Sequence, residues 1–377
     1  MKKVLILASV ASMIDQFTMP NIHILIKKGF KVHAAANFEE GNTSSPERIT
    51  EFKKELEALG VIFFQIEFSR EITNVRSNFR AYRQIKKLML QNDYSFVHCH
   101  SPIGGVCGRL AGRATGTKVI YTAHGFHFFK GAPIINWLLF YPVERFLARY
   151  TDVLITINKE DYAVAQRFSA KMVKYVPGIG VDTKRFETHS TYNRGTIRAK
   201  LGIKDERIVF VSVGELNKGK NHECVIRALS HLPYQEFTYL ICGIGSLDIY
   251  LLSLVRKLGL EKRVFLLGFR KDIPEILSAA DVFLFPSLRE GLPVALMEAM
   301  ASGLPVVCSN IRGNSDLIEG EKGGYLVAPN EKDFRSAIEQ ILNNRPLWKK
   351  MGEFNKQVIS EYDVSVIEKH TMEIYAI

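Results

Sequence analysis

Two carboxylates, Glu290 and Glu298, stand eight residues apart in the stretch Phe285-Pro-Ser-Leu-Arg-Glu-Gly-Leu-Pro-Val-Ala-Leu-Met-Glu-Ala-Met-Ala-Ser-Gly-Leu-Pro-Val-Val-Cys308. The run before them, Asp281-Val-Phe-Leu-Phe285, is short, apolar and rich in β-branched and aromatic residues, the composition of a buried parallel strand. Gly291-Leu-Pro293 then reads as the opening of a helix with proline in its first turn. Glu290 therefore belongs to the loop at the carboxyl end of a strand, where open α/β sheets bind ligands. The first free N–H groups of that helix, at Gly291 and Leu292, carry its positive dipole end and suit a diphosphate. Glu298 is expected about two turns further in, where a carboxylate can accept hydrogen bonds from a pair of ribose hydroxyls. The alternative reading makes Glu298 the start of a solvated helix face, with Met297 and Met300 packing inward.

A second loop carries matching chemistry. In Val211-Ser-Val-Gly-Glu-Leu-Asn-Lys-Gly-Lys-Asn-His222, Gly214 permits close approach of backbone to an anion, and Lys220 supplies a cation for a diphosphate leaving group. Otherwise Lys220 is a surface lysine in a turn. In the first half, Phe96-Val-His-Cys-His100 and Tyr121-Thr-Ala-His-Gly-Phe-His127 end adjacent strand-like runs. His98 and His100 point the same way on a strand, and with His124 and His127 they offer imidazoles to a zinc ion. No carboxylate or cysteine stands beside them at ligand spacing, and His100 runs into a loop-forming Ser-Pro, so no metal site is expected.

The elements that must position these residues alternate along the whole chain, which predicts α/β architecture with parallel sheets. Strands are expected at 3–8, 31–36, 61–67, 96–100, 118–124, 153–158 and 173–177 in the first half. In the second they are expected at 208–213, 237–242, 264–267, 282–285, 306–309 and 325–327. Two such sets mean two Rossmann-like domains. Their boundary falls near 186–193, where Glu187-Thr-His-Ser-Thr-Tyr-Asn-Arg194 is polar and without period. The expected domains are thus 1–186 and 187–360, with a final helical segment within 361–377.

At 377 residues the chain has enough core for two such domains. Met1-Lys-Lys-Val-Leu-Ile-Leu-Ala resembles the start of a signal peptide, but its apolar run stops at Asp15 without a small-residue cleavage site, so a first strand is the better reading. No run approaches the ~18 apolar residues that span a bilayer. The five cysteines lie mostly in apolar strand-like runs, as buried thiols of a reducing compartment do.

Charge is unevenly placed. Residues 1–186 hold 26 Lys and Arg against 15 Asp and Glu, and the remainder holds 24 against 24, so the first half carries the whole net charge of +11. Its focus is Arg70, Arg76, Arg80, Arg83, Lys86 and Lys87. On a helix Arg76, Arg80, Arg83 and Lys87 share one face, a basic amphipathic pattern suited to an anionic membrane surface or to a lipid carrier's phosphates. The bland alternative is a solvated face over a core stripe. A second membrane candidate is His127-Phe-Phe-Lys-Gly-Ala-Pro-Ile-Ile-Asn-Trp-Leu-Leu-Phe-Tyr-Pro142, where aromatic and aliphatic residues crowd beside Lys130. Neither segment contains a nucleic-acid-reading motif, so no nucleic-acid partner is expected.

The Glu290–Glu298 pattern and its surroundings, P-S-x-x-E-G-x-P-x-x-x-x-E-A-M-A-x-G-x-P-V-V, resemble family 4 of the retaining nucleotide-sugar glycosyltransferases, nearly end to end. The string from His124 through Pro142 resembles the capsule and exopolysaccharide branch in particular. The resemblance implies the GT-B fold: two Rossmann-like domains facing across a cleft, with a C-terminal helix crossing back to the first. It also implies transfer of a sugar from a nucleotide donor, UDP by expectation, to a polyprenyl-diphosphate-linked glycan, with no cofactor and no metal.

By the same resemblance Glu290 contacts the donor sugar, Glu298 the ribose and His124 the reacting centre. Lys220 and the helix start at Gly291 and Leu292 meet the diphosphate, and Gly214, Gly243 and Arg270 line the donor side. Two departures stand out. Glu215 occupies the place of the family's usual arginine, leaving Lys218 or Arg289 to compensate, and the loop 9–20 lacks the paired glycines common near the donor phosphates. The expected location is the inner face of the cell membrane, held peripherally. A UDP-sugar epimerase on the same scaffold is the alternative function.

Overall fold

The computed structural model describes residues 1–69, 74–187, 194–233 and 236–376. Arg70 and positions 188–193 of the expected linker lie outside them. The chain forms two compact units, Met1–Ile179 with Ile367–Ile377, and Gly180–Val366. The division falls at Gly180 because the following segment is bonded to the end of the second unit. Val181 N–H donates to the Tyr362 carbonyl at 3.0 Å, and the Thr183 hydroxyl donates to the Asp363 carboxylate at 2.7 Å.

The first unit is built on strands β1 (Lys3–Val10), β2 (Lys31–Asn37), β3 (Ile62–Gln65), β4 (Tyr94–His100), β5 (Lys118–Ala123), β6 (Val153–Thr156) and β7 (Met172–Tyr175). Their order is β3-β2-β1-β4-β5-β6-β7, and every pairing is parallel. The amino-terminal segment is thus a central strand, its Val4 to Ala8 fully buried. The glycine-free stretch after it is not a loop: it forms helices Ala11–Phe17 and Met19–Lys27, since nothing in Ala11–Phe17 breaks a helix.

One face of this sheet is covered by helices Met19–Lys27, Pro46–Ala58 and Val364–Ile374 through Ile22, Phe52, Leu56, Ile367 and Ile374. The other is covered by Val75–Asn92, Pro102–Thr115 and Ile134–Ala148 through Ala81, Ile85, Cys107, Ala111 and Ala148. Helix Pro102–Thr115 lies so close to the sheet that a Cβ at Gly108 would sit 2.2 Å from the Cys99 sulfur.

The second unit holds β8 (Ile208–Val213), β9 (Phe237–Cys242), β10 (Val264–Gly268), β11 (Val282–Phe285), β12 (Val306–Ser309) and β13 (Gly324–Val327), in the parallel order β10-β9-β8-β11-β12-β13. All thirteen expected strands are present, four of them with the expected ends. In each sheet the strand order reverses once, between β1 and β4 and between β8 and β11. Open α/β sheets bind their ligands outside the carboxyl ends of the strands at that switch point.

Candidate functional site

The loops after β8 and β11 flank the switch point of the second sheet and bring Lys220 and Glu290 together. The Lys220 ammonium donates to Glu290 Oε1 at 2.6 Å and lies 5.3 Å from the Phe285 ring centre. Backbone bonds stitch the loops: Leu288 N–H donates to the Gly219 carbonyl at 2.8 Å. Asn221, in the left-handed region at φ 55°, donates its amide to the carbonyls of Pro286 at 3.2 Å and Pro329 at 3.3 Å. Asparagine tolerates that conformation better than most residues.

Several expected roles change with the geometry. The helix after β11 runs Val294–Ala301, with Pro293 extended at φ −80°, ψ 117° as its cap. Its free N–H groups are therefore those of Val294, Ala295 and Leu296, and not those of Gly291 and Leu292. The physical reason is the proline, which biases the residue before it away from helical ψ. Leu292 is a buried core residue, and Glu298 lies about one turn into the helix rather than two.

The space over Gly214 is taken by the Lys220 stem, 3.3 Å from where a Cβ would stand, and a Cβ on Gly243 would fall 1.9 Å from the Gly214 carbonyl oxygen. These glycines serve clearance within the protein. The Arg270 guanidinium is held by the Asp272 carboxylate two residues on, at 2.8 and 2.6 Å, so its fork is already committed.

Glu298 is half-buried. Among the described residues its carboxylate has no hydrogen-bond partner, and burial pushes its pKa up to about 7 against the pull of Arg185. Met297 and Met300 do pack inward, yet the carboxylate between them does not lie on a solvated face. Glu215, Lys218 and Arg289 are exposed on the same two loops.

Sequence reasoning missed Arg312. It is buried, and its Nε and Nη2 both donate to the Glu290 carbonyl at 3.2 Å. Next to it, Gly313 has φ +82°, and a Cβ there would lie 2.4 Å from the Gly291 carbonyl oxygen. The turn holding Glu290 is thus clasped by the loop after β12. The signal was a basic residue and a glycine just beyond a strand's carboxyl end, in Ser309-Asn-Ile-Arg-Gly313.

In the first unit three histidines, His98 and His100 buried and His124 half-buried, form a ladder where β4 and β5 end. His98 bonds Tyr375 OH through Nδ1 at 2.6 Å and Thr122 Oγ1 through Nε2 at 2.8 Å. The His98 and His100 ring centres are 4.1 Å apart, and His100 Nδ1 meets His124 Nε2 at 3.0 Å. His100 Nε2 is buried without a partner. An orphaned N–H is rarer than an orphaned acceptor, so His100 carries its proton on Nδ1 and donates to His124. His124 then carries its own proton on Nδ1. Burial lowers the pKa of His98 to about 3 and of His124 to about 4, so both are neutral near pH 7. His127 instead packs against the Phe140 ring. Among the described residues no group of His, Cys, Asp and Glu could hold a metal ion.

The basic segment is a helix, Val75–Asn92, with Ala81, Ile85, Leu88 and Met89 buried. Arg76, Arg80, Arg83 and Lys87 are exposed together, with Phe79 and Leu90 beside them. The stretch 127–142 divides differently from expectation. Its aromatic rings turn inward, Trp137 tilted and Tyr141 edge-on against the buried Phe128 at 5.4 and 5.3 Å between ring centres, while its aliphatic residues face out.

Comparison with known proteins agrees with this fold. Residues 193–358 match the family model "Glycosyl transferases group 1" and residues 3–158 match "Glycosyl transferase 4-like". The chain is 36% identical to the putative glycosyltransferase EpsD of Bacillus subtilis, across 100% of this chain and 96% of that protein. It is 33% identical to the UDP-Gal:alpha-D-GlcNAc-diphosphoundecaprenol alpha-1,3-galactosyltransferase of Escherichia coli, across 76% of each. Among solved structures it is similar to Anabaena HepE in complex with UDP, with a TM-score of 0.79, 20% identity and full coverage of both chains.

Proposed function

The chain belongs to the group 1 glycosyltransferases, and from that premise we propose that it moves a sugar, with retention, from UDP to a glycan carried on a polyprenyl diphosphate in capsule or exopolysaccharide synthesis. The reading rests on one observation: Lys220 and Glu290 meet at 2.6 Å at the switch point of the second sheet. A 33%-identical relative named for a UDP-sugar donor and a lipid-diphosphate acceptor supports it. The epimerase alternative has no support from the relatives named above, which are glycosyltransferases.

In this reading the second unit binds the donor and the first the acceptor. The bond from the anomeric carbon to the diphosphate breaks, and the acceptor oxygen bonds to the same face. The acceptor proton passes to a diphosphate oxygen. Lys220 leaves Glu290 for the diphosphate, whose growing charge also meets the N–H groups of Val294 and Ala295. Glu290 then turns to the donor sugar, Glu298 accepts from the ribose hydroxyls, and neutral His124 donates through Nδ1. Protein cations and dipoles do the work of a metal here, so chelation with EDTA leaves the rate unchanged.

The location proposed is the inner face of the membrane, to which the exposed basic face of Val75–Asn92 draws the protein. Among the described residues no helix is long and apolar enough to cross it.

The test is incubation with a panel of labelled UDP-sugars and a synthetic polyprenyl-diphosphate sugar. Label appearing in the lipid product supports the reading. Donor consumed with no product on the lipid, across the panel, sinks the acceptor assignment, and no response to any UDP-sugar sinks the donor.

A further inference from the structure

Helix Ile134–Ala148 is two-sided in an unusual sense. Its inner side is firmly fixed: the Arg109 guanidinium, itself fully buried, donates to Glu144 Oε2 at 2.7 Å and lies 4.1 Å from the Tyr121 ring centre. Tyr121 OH donates to Glu144 Oε1 at 3.2 Å, and Leu147 and Ala148 are buried beside them. The outer side is apolar over its first turns, where a surface helix should be polar, and in its last turns the exposed Arg145 and Arg149 share that side. Ile134, Ile135, Leu138, Leu139, Val143 and Phe146 are each between 44% and 77% exposed. At about 100° per residue they span one half of the helix, opposite Trp137, Phe140, Glu144 and Leu147. Contiguous exposed apolar surface of this kind marks an interaction site.

We infer that this helix is the part of the protein that enters a lipid surface, with Ile134, Ile135, Leu138 and Leu139 of its first turns among the acyl chains of an anionic membrane and Arg145 and Arg149 of its last turns at the headgroups. Charge decides between a membrane and a second copy of the chain. Arg145 and Arg149 are exposed on the same helix, and the guanidinium of Arg149 lies 4.6 Å from the Phe146 ring centre. Helix Val75–Asn92, with Arg76, Arg80, Arg83 and Lys87 exposed, covers the same side of the sheet. The first half of the chain carries the entire +11. A self-pairing of this face would bring like charges together, whereas anionic headgroups complement them, with the aliphatic residues below the headgroup level.

This inference deepens the location proposed above and is separable from the reaction. The test uses the full-length protein with vesicles of neutral lipid and of neutral lipid with about a third anionic lipid, read by co-sedimentation and analytical ultracentrifugation. Wild type is expected to bind the anionic vesicles, and to retain part of that binding in 0.5 M salt, because the apolar contribution is not screened. Leu138→Glu with Leu139→Glu should reduce binding at least tenfold at both salt concentrations. Arg76, Arg80, Arg83 and Lys87 changed to Glu should reduce it mainly at low salt. Circular dichroism and transfer to a short water-soluble acceptor should be unchanged in the first variant, which separates lost docking from lost folding or lost chemistry. Unchanged vesicle binding in Leu138→Glu with Leu139→Glu would overturn the inference. So would a wild-type dimer that this variant turns to monomer, since the face would then be a contact between copies.

Discussion

The two units use one topology for opposite electrostatic ends. At the carboxyl edge of the second sheet, a lysine and a carboxylate face each other at 2.6 Å, a second carboxylate is half-buried with no hydrogen-bond partner among the described residues, and a helix begins beside them. At that edge of the first sheet, three histidines, two buried and one half-buried, form a ladder that desolvation keeps neutral. One edge presents charged groups, the other neutral donors and acceptors. The fold therefore dictates where a site lies, and the residues on two or three turns dictate what it holds.

The comparison is broken most directly by pH, where the largest effect is expected. Burial lowers the folded pKa of His33 and His124 to about 4 and of His98 to about 3, and holds His100 well below its ordinary 6.5. A histidine depressed in the fold is protonated first in the unfolded chain, so stability present above pH 6.5 is lost as pH falls toward 4. At pH 5 that costs about 2 kcal/mol for each fully buried one, several kcal/mol in all. In the second unit His222 behaves likewise, but Glu298 does the reverse. Its folded pKa of about 7 means stability is lost as pH rises from 4.5 to 7, and regained on acidification. The two nearly cancel. Hydrogen exchange at pH 5 should therefore show the first unit opening long before the second; simultaneous opening would contradict the contrast.

Glu290→Gln is expected to lower kcat on the order of a hundredfold, the usual loss for one transition-state contact, with UDP affinity little changed or improved because Lys220 is released. A rate within threefold of wild type would remove Glu290 from the reacting centre.

Glu298→Gln should act in two directions. Donor KM rises about tenfold, the loss expected for one hydrogen bond to a charged group, while the folded protein gains on the order of 2 kcal/mol at pH 8, because a buried carboxylate with a raised pKa no longer has to ionise. Thermal melts across pH 5 to 8 check the second half, and the gain should vanish near pH 5. Loss of affinity without that gain would mean the carboxylate is better solvated than its surroundings suggest.

Much of this was legible before any coordinates. Parallel strands buried on both faces read as apolar runs, which is why Asp281-Val-Phe-Leu-Phe285 and its counterparts were placed closely. The Glu290 loop followed from its position after one of them. Less legible was whatever depends on close approach in three dimensions. That Gly243 is needed because the Gly214 carbonyl passes 1.9 Å from its missing Cβ cannot be read from a Gly-Ile-Gly string. Arg312 lies 22 residues from the turn it holds, in a loop whose neighbourhood is set by β12 pairing with β11. The helix start was misplaced for a local reason, since Leu292 precedes a proline and that rule was available. The aromatics of 127–142 were read as a surface from composition alone, whereas the periodicity within 134–148 separates inward rings from outward aliphatics.

The smallest effect expected sharpens the contrast from the charged side. Glu215 is exposed in the loop that carries Lys220, where related enzymes are expected to carry an arginine. Its negative charge near a bound diphosphate is unfavourable, though solvent screens it. Glu215→Arg replaces one weak repulsion with one weak attraction, each worth ~0.5 kcal/mol at an exposed site, so UDP affinity should rise about fivefold in low salt. The gain should shrink as ionic strength increases, since exposed charges are screened within about 8 Å at physiological salt. Calorimetric titration of UDP at two salt concentrations reads both quantities. A gain indifferent to salt would point to direct contact with the diphosphate, and affinity unchanged at both would place Glu215 away from it, leaving Lys220 and the Val294 helix end to hold the charge.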